Sequence, residues 1–310
     1  MIITVTMNPA IDKTVTIDRL CRGGLNRIKE VEYDAGGKGI NVSKTIKALG
    51  GESIATGFLG GNTGKIIEKA LEEKEIRHDF IRVEGETRTN TKVVEAGGEV
   101  TELNEPGPLI SREQMQELFN KILGYAKEGT LFVLSGSVPA GVDQEIYGRL
   151  ISLLHEKGAE VLLDADGSLF ANGLREKPDI IKPNRIELEK YSGLNRGASE
   201  KELLAMAREI KADGTKNVAV SMGPEGAMFL ADDCAVRCPA LPVTARSTVG
   251  AGDAMVAALA FAWDKRLAFE ETVRLCMAAS AGAVTTKGTK PPAKKLVEEL
   301  MKQVIIEKLL

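Results

Sequence analysis

From Pro108 onward the chain repeats one pattern three times: an amphipathic segment long enough for a helix, then a short apolar run without polar alternation. Segment 111–127 precedes Leu131-Phe132-Val133-Leu134, segment 143–156 precedes Val161-Leu162-Leu163-Asp164, and segment 199–211 precedes Val218-Ala219-Val220-Ser221. A strand with one solvated face alternates polar and apolar side chains, so strands that do not alternate are covered on both faces. A parallel sheet between two helix layers provides that cover. The β-branched run from Met1 to Met7 has the same character and stops at Asn8-Pro9. Ligands of such sheets bind beyond the carboxyl ends of the strands. That rule puts Asn8, Ser135-Gly136-Ser137, Asp164, Lys182-Pro183-Asn184 and Met222-Gly223 on one rim. Closing helices are expected over 252–265, 269–285 and 293–308.

Two stretches break the pattern. Thr14-Val15-Thr16-Ile17 and Ile28 to Tyr33 alternate, as do Thr87 to Val94 and Glu99 to Leu103 around Gly97-Gly98. Alternation means one wet face, and the glycine pair reads as a hairpin. Residues of about 11–35 and 87–104 are therefore expected to form a separate small sheet, a lid on an otherwise single domain spanning 1–310. With 43% hydrophobic but only 4% aromatic residues, the core must be built from Ile, Leu, Val and Ala.

A net charge of -3 leaves no electrostatic footprint for a nucleic acid, so phosphate affinity must come from local placement. Cys21, Cys234, Cys238 and Cys276 are scattered, and the two histidines, His78 and His155, lie far from them, so no thiolate metal site is expected. The first residues have the pattern of a strand, not of a signal peptide, and no apolar run reaches membrane-spanning length. A reduced cytoplasmic protein without nucleic-acid or membrane partners is the expectation.

Chemistry concentrates in two glycine turns. Ser247-Thr248-Val249-Gly250-Ala251-Gly252-Asp253 runs into an apolar helix former stretch, so several backbone amides converge at a helix N-terminus and make an anion hole. Asp253 falls in the first helical turn, where dipole and amides are expected to keep it ionised. A carboxylate beside a hole for developing negative charge suits phosphoryl transfer to an alcohol. Gly36-Gly37-Lys38-Gly39-Ile40-Asn41-Val42 opens a second helix, closed at Leu49 by Gly50-Gly51. Neither turn is a dinucleotide fingerprint, because Val42 and Met255 stand where a third glycine is required. Gly64-Lys65 is followed by Ile66, so no Walker A motif is present.

These two motifs, in order and some two hundred residues apart, resemble the ribokinase-like (PfkB) sugar kinase family along almost the whole chain. Thr6-Met7-Asn8-Pro9-Ala10-Ile11-Asp12, Leu103-Asn104-Glu105-Pro106-Gly107 and Ser135-Gly136-Ser137-Val138-Pro139 resemble its branch acting on phosphorylated ketohexoses. The resemblance implies an α/β fold, a three-layer αβα sandwich with a mostly parallel central sheet and a small β-sheet lid. It also implies ATP and Mg²⁺, and a homodimer formed through the lid. The implied reaction is conversion of fructose 1-phosphate to fructose 1,6-bisphosphate. Tagatose 6-phosphate, fructose 6-phosphate or an unphosphorylated sugar stand as alternative acceptors, and a non-catalytic sugar-phosphate sensor as an alternative from another class.

Roles follow by the same resemblance. Asp253 is the base, with Gly250, Ala251 and Gly252 forming the hole. Asp12, Gly36, Gly37, Asn41 and Ser137 face the sugar, the two glycines letting backbone approach it. Lys38, Arg27 and Arg88, with Asn90 and Lys92 as weaker candidates, face its phosphate, because guanidinium forks match phosphate oxygens. Lys182, Asn184, Ser221, Gly223, Gly226, Thr248, Gly250 and Gly252 border ATP, and the small residues Ala279 and Gly282 offer a flat face for adenine or, equally, a close helix contact. Asn184 and Glu187 reach Mg²⁺ through water, a pattern that also reads as a helix cap.

Overall fold

The computed structural model describes residues 1–194 and 197–309. The chain begins β1 (Ile2–Thr6), β2 (Ala10–Ile17), β3 (Glu30–Gly36), α1 (Lys38–Ala48), β4 (Ile54–Gly60) and α2 (Gly61–Glu73). Next come β5 (Arg77–His78), β6 (Ile81–Val83), β7 (Arg88–Glu95), β8 (Val100–Asn104), α3 (Arg112–Tyr125) and β9 (Leu131–Ser135). They are followed by α4 (Ile146–Glu156), β10 (Glu160–Asp164), α5 (Gly167–Arg175), β11 (Ile180–Ile181), α6 (Arg185–Tyr191) and α7 (Glu200–Ala212). The chain ends with β12 (Asn217–Ser221), β13 (Ala227–Ala231), β14 (Cys234–Cys238), α8 (Ala251–Lys265), α9 (Phe269–Val284), α10 (Lys294–Met301) and β15 (Glu307–Lys308).

Among the described residues the strands form two sheets. The large one runs β15-β14-β13-β12-β11-β10-β9-β1-β4-β5, with β6 also on β4. It is parallel from β12 to the β4 side and antiparallel from β12 to β15. Strands β1, β4 and β9 are buried at every residue, Thr4, Thr6, Thr56 and Ser135 included, as strands covered on both faces must be. Helices α1, α8, α9 and α10 pack together on one face around Val42, Ile46, Val256, Leu259 and Val273, and α3 to α7 cover the other around Leu118, Leu150 and Leu203. This is the expected three-layer αβα arrangement.

The small sheet has order β3-β2-β7-β8, built from both alternating excursions. Its register puts Asp12 beside Asp34 and Asn90, and Asn90 beside Asn104, so alternate residues of all four strands share the face over the carboxyl ends of the large sheet. Val15, Ile17 and Val93 make a core of their own on the opposite face.

One boundary and one strand pair differ from expectation. The last helix ends at Met301 instead of continuing to 308, because the following Val304-Ile305-Ile306 is β-branched and leads into β15, which pairs with β14. The antiparallel pair β13 and β14 carries no helix between its strands, so the strand-helix rhythm gives no hint of it.

Candidate active site

Helix α8 is capped by Gly250, whose φ of 85° is left-handed. Glycine adopts that conformation without a Cβ penalty, and it turns the chain so that α8 points its N-terminus at the strand ends. Ala254 is the first amide bonded within the helix, to the Gly250 carbonyl at 2.9 Å. The amides of Ala251, Gly252 and Asp253 therefore remain for a ligand. Asp253 is half-buried, and its Oδ2 accepts a 2.8 Å hydrogen bond from Asn41 Nδ2 on α1. The two glycine turns, 212 residues apart in sequence, thus meet in one hydrogen bond.

Next to this pair a buried carboxylate joins two lysines. Asp164 lies at the end of β10, with Lys38 Nζ 3.1 Å from one oxygen and Lys182 Nζ 3.2 Å from the other. These are charge contacts without hydrogen-bond alignment, since neither oxygen has an aligned donor among the described residues. Burial would push the Asp164 carboxyl up, but Lys182 and Lys38 outweigh it and hold it below the usual carboxylate range. Burial likewise opposes the Lys38 charge, and Asp164, Asp253 and Glu187 together reverse that and raise it. Lys182 also borders the anion hole, because a Cβ on Gly252 would sit 3.6 Å from its Nζ.

Dipole and amides are expected to keep Asp253 ionised, and its surroundings work against them. Burial first, and the Asp164 charge second, raise its pKa against the opposing pull of Lys38, Asn41 and Lys182. A carboxylate so placed is a stronger base than one in water.

The small sheet supplies the other wall. Asp12 is buried and paired with Lys92 at 3.6 Å, while Arg88 donates to the carbonyls of Asn8 at 3.1 Å and Glu105 at 3.2 Å. A cleft of about 360 Å³ is lined jointly by Asp12, Arg88, Asn90 and Lys92 from this sheet and by Gly37, Lys38, Asn41, Ser137, Gly250 and Asp253 from the core. Buried oxygens without a partner cluster here: Asn8 Oδ1, Asn41 Oδ1, Asn90 Oδ1 and Ser135 Oγ. Unpaired buried acceptors are costly, so their convergence on one cleft suits a ligand rich in hydroxyl donors. The larger cavity, about 640 Å³, opens around Met1, Asn217 and Trp263 at the amino ends of the strands, away from the helix amides.

Other expected site residues fall differently. Gly37 lines the cleft, and both glycines are also tightly packed: a Cβ on Gly36 would lie 2.5 Å from Asp12 Oδ2, and one on Gly37 2.7 Å from Thr6 Cγ2. Their smallness lets α1 and β3 close on neighbouring chain. Arg27 is exposed and outside the cleft lining, so the structure does not bring it to Arg88. Asn184 and Glu187 form a reciprocal helix cap, with bonds of 2.9 and 2.8 Å, and burial raises the Glu187 carboxyl. Ser221 bridges to Asn184, and Gly223 and Gly226 flank the turn that follows it. Thr248 is exposed beside the hole. Ala279 and Gly282 are buried, with Gly282 pressed against Pro292, so helix packing accounts for their size. Glu102, Asn104 and Thr289 line the cleft without having been foreseen. Pairing of Asn90 with Asn104 and of Lys92 with Glu102 across the hairpin is the signal that marks the first two, but no local signal marks Thr289.

Comparison with known proteins agrees with this geometry. The model of the pfkB family carbohydrate kinases matches residues 5–296. A 1-phosphofructokinase of Haemophilus influenzae is 34% identical, covering 98% of this chain and 97% of its own. A D-tagatose-1-phosphate kinase of Bacillus licheniformis is 35% identical, covering 93% and 94%. The crystal structure of phosphofructokinase-2 from Escherichia coli in complex with potassium superposes with a TM-score of 0.92 at 30% identity, over 97% of this chain and 98% of that one. Matched over nearly its whole length, and with helix amides and a polar cleft at the strand ends, the chain belongs to the pfkB family of carbohydrate kinases and is an ATP-dependent sugar kinase.

Proposed function

We propose that the chain transfers the γ-phosphoryl group of ATP to the 6-hydroxyl of a ketohexose 1-phosphate, with fructose 1-phosphate as acceptor and fructose 1,6-bisphosphate as product. One observation carries the reading: Asp253 opens into the same cleft as Lys38, Arg88 and Lys92. A neutral sugar would need no such cluster, whereas an acceptor already bearing a phosphate would. The names of the two relatives support an acceptor phosphorylated at carbon 1.

In this mechanism Asp12 and the amide oxygens of Asn8, Asn41 and Asn90 accept from sugar hydroxyls, and Arg88 with Lys38 or Lys92 holds the sugar's own phosphate. Asn41 orients the Asp253 carboxylate, which takes the proton of the 6-hydroxyl as that oxygen attacks phosphorus in line. The amides of Ala251, Gly252 and Asp253, with Lys182, stabilise charge on the transferring group. Lys182, Asn184, Ser221, Gly223, Gly226 and Thr248 border the nucleotide. No group of three His, Cys, Asp or Glu side chains among the described residues makes a metal cage. Asn184 and Glu187 instead fit a cation that keeps its water, such as Mg²⁺, which when bound neutralises nucleotide phosphate charge.

The small sheet acts as a lid that excludes water. Ion pairs from Glu32 to Lys287 at 3.1 Å and Lys290 at 3.4 Å join it to the core beside the anion hole. Its outward face exposes Val31, Tyr33 and Leu103, an apolar surface suited to a second copy of the chain.

A coupled ADP-release assay over fructose 1-phosphate, tagatose 1-phosphate, tagatose 6-phosphate, fructose 6-phosphate and fructose tests the reading. The highest kcat/KM is expected for fructose 1-phosphate. A preference for tagatose 1-phosphate supports the second reading, for which the 35% identical relative speaks. A preference for a 6-phosphate or for free sugar overturns the assignment of the 6-hydroxyl.

A further inference from the structure

Lys44 is a cation that the mechanism above leaves unused. It lies on α1 beyond Lys38 and Asn41, is only 4% exposed, and so carries its charge where burial is expensive. Its Nζ donates to the Ala35 carbonyl at 2.7 Å and to Thr289 Oγ1 at 3.4 Å. Ala35 is near the root of the small sheet, where β3 hands over to the Gly36-Gly37 turn. Thr289 lies against the other glycine turn, with its Cα 3.5 Å from where a Cβ on Gly250 would stand. One ammonium therefore spans the segment carrying the lid and the segment supporting the anion hole.

The surrounding charges are arranged to keep it there. Burial pulls the Lys44 pKa down to about 8, and Asp34 from β3, Asp12 from β2 and Asp253 from α8 oppose that pull, with Lys74 after α2 adding to it. Glu32 with Lys287 and Lys290 links the same two segments, but at the surface, where ion pairs are weak and screened by salt. Lys44 is the buried link.

We propose, on the kinase reading above, that Lys44 is a positioning residue: its ammonium ties the Ala35 carbonyl to the Thr289 segment and so holds the Gly250 turn in register with an acceptor bound under the lid. It touches no reacting atom. It acts through Thr289 and Gly250 on the direction of the α8 amides. A lysine that only fills space would lower stability and leave the turnover of folded protein unchanged.

The test compares the full chain with Lys44→Met, which keeps the length of the side chain and removes its charge and donors. Thermal unfolding establishes the folded fraction. In the ADP-release assay kcat of folded Lys44→Met is expected to drop roughly ten- to hundredfold, with acceptor KM changed far less, because misdirected amides cost the transition state more than the bound sugar. Hydrogen exchange reads the same device without turnover: amides of 249–254 and 286–290 are expected to exchange faster, with β9 unchanged. A kcat within about twofold of the native chain, or unchanged exchange over 249–254, overturns the proposal. If Lys44→Met does not fold, Thr289→Val, which removes only the hydroxyl acceptor, takes its place in both measurements under the same criteria. Should the native chain turn over none of the acceptors, the proposed acceptor assignment fails, and exchange over 249–254 still decides the role of Lys44.

Discussion

Asp253 and Asp164 are neighbouring carboxylates, one half-buried and one buried, with opposite shifts, and pH separates them. Asp164 ionises more readily in the fold than in the unfolded chain, so its contribution is present above the ordinary carboxylate pKa and is lost as pH falls through its lowered folded value. Asp253 is raised, so the folded chain holds its proton more tightly, and the stability this confers at low pH is lost as pH rises through the folded value. Asp253→Asn is therefore expected to lose turnover by roughly 10²- to 10⁴-fold while retaining ATP binding, and to melt above the native chain at pH 7. That gain should shrink in unfolding scans taken toward the ordinary carboxylate pKa, where the native aspartate is itself neutral. Asp164→Asn acts the other way. It strands Lys38 and Lys182 together, and chemical denaturation at pH 7 should show a loss of about 3 kcal/mol or more.

At the scale of elements, the glycine turns open α1 and α8 so that Asn41 and Asp253 meet, and the two turns tolerate change differently. Gly37 has φ 105° and no room, since a Cβ would lie 2.7 Å from Thr6 Cγ2 and 3.0 Å from the Pro9 backbone. Gly37→Ala is expected to cost at least about 1–3 kcal/mol in denaturant unfolding, from backbone strain before the overlap is counted. Gly250 has ordinary contact distances but a left-handed φ of 85°, so Gly250→Ala should cost about 1–2 kcal/mol of backbone strain without the overlap that burdens Gly37, while redirecting the amides of α8 and lowering kcat. A Gly250→Ala chain with native turnover would separate the turn from the chemistry. Both motifs were legible in sequence as helix openings. Their hydrogen bond was not, because nothing local encodes the distance between residues more than two hundred positions apart.

For the whole molecule the small sheet matters through both of its faces. Its inner face carries Asp12, Asn90 and Lys92, and its outer face exposes Tyr33 at 63% and Leu103 at 58%. If that face joins two copies, Leu103→Glu should convert a dimer to a monomer in light scattering, with the described lid-to-core contacts of each chain retained. A native chain that is monomeric at micromolar concentration would remove the lid as an interface. No described helix is long and apolar enough to cross a membrane.

Sequence by itself determined the parallel sheet, the small sheet's two excursions and the glycine-opened helices, because periodicity, branching and turn chemistry act over a few residues. It also brought Asp253, Lys38 and Arg88 forward as chemical groups. Tertiary structure alone decided that Arg27 stays outside the cleft, that Gly36 and Gly37 leave no room for a Cβ, that Asp253 is raised, and that Lys44 reaches Thr289. Those outcomes depend on burial and on charges brought together from distant segments, and both exist only once the layers have closed.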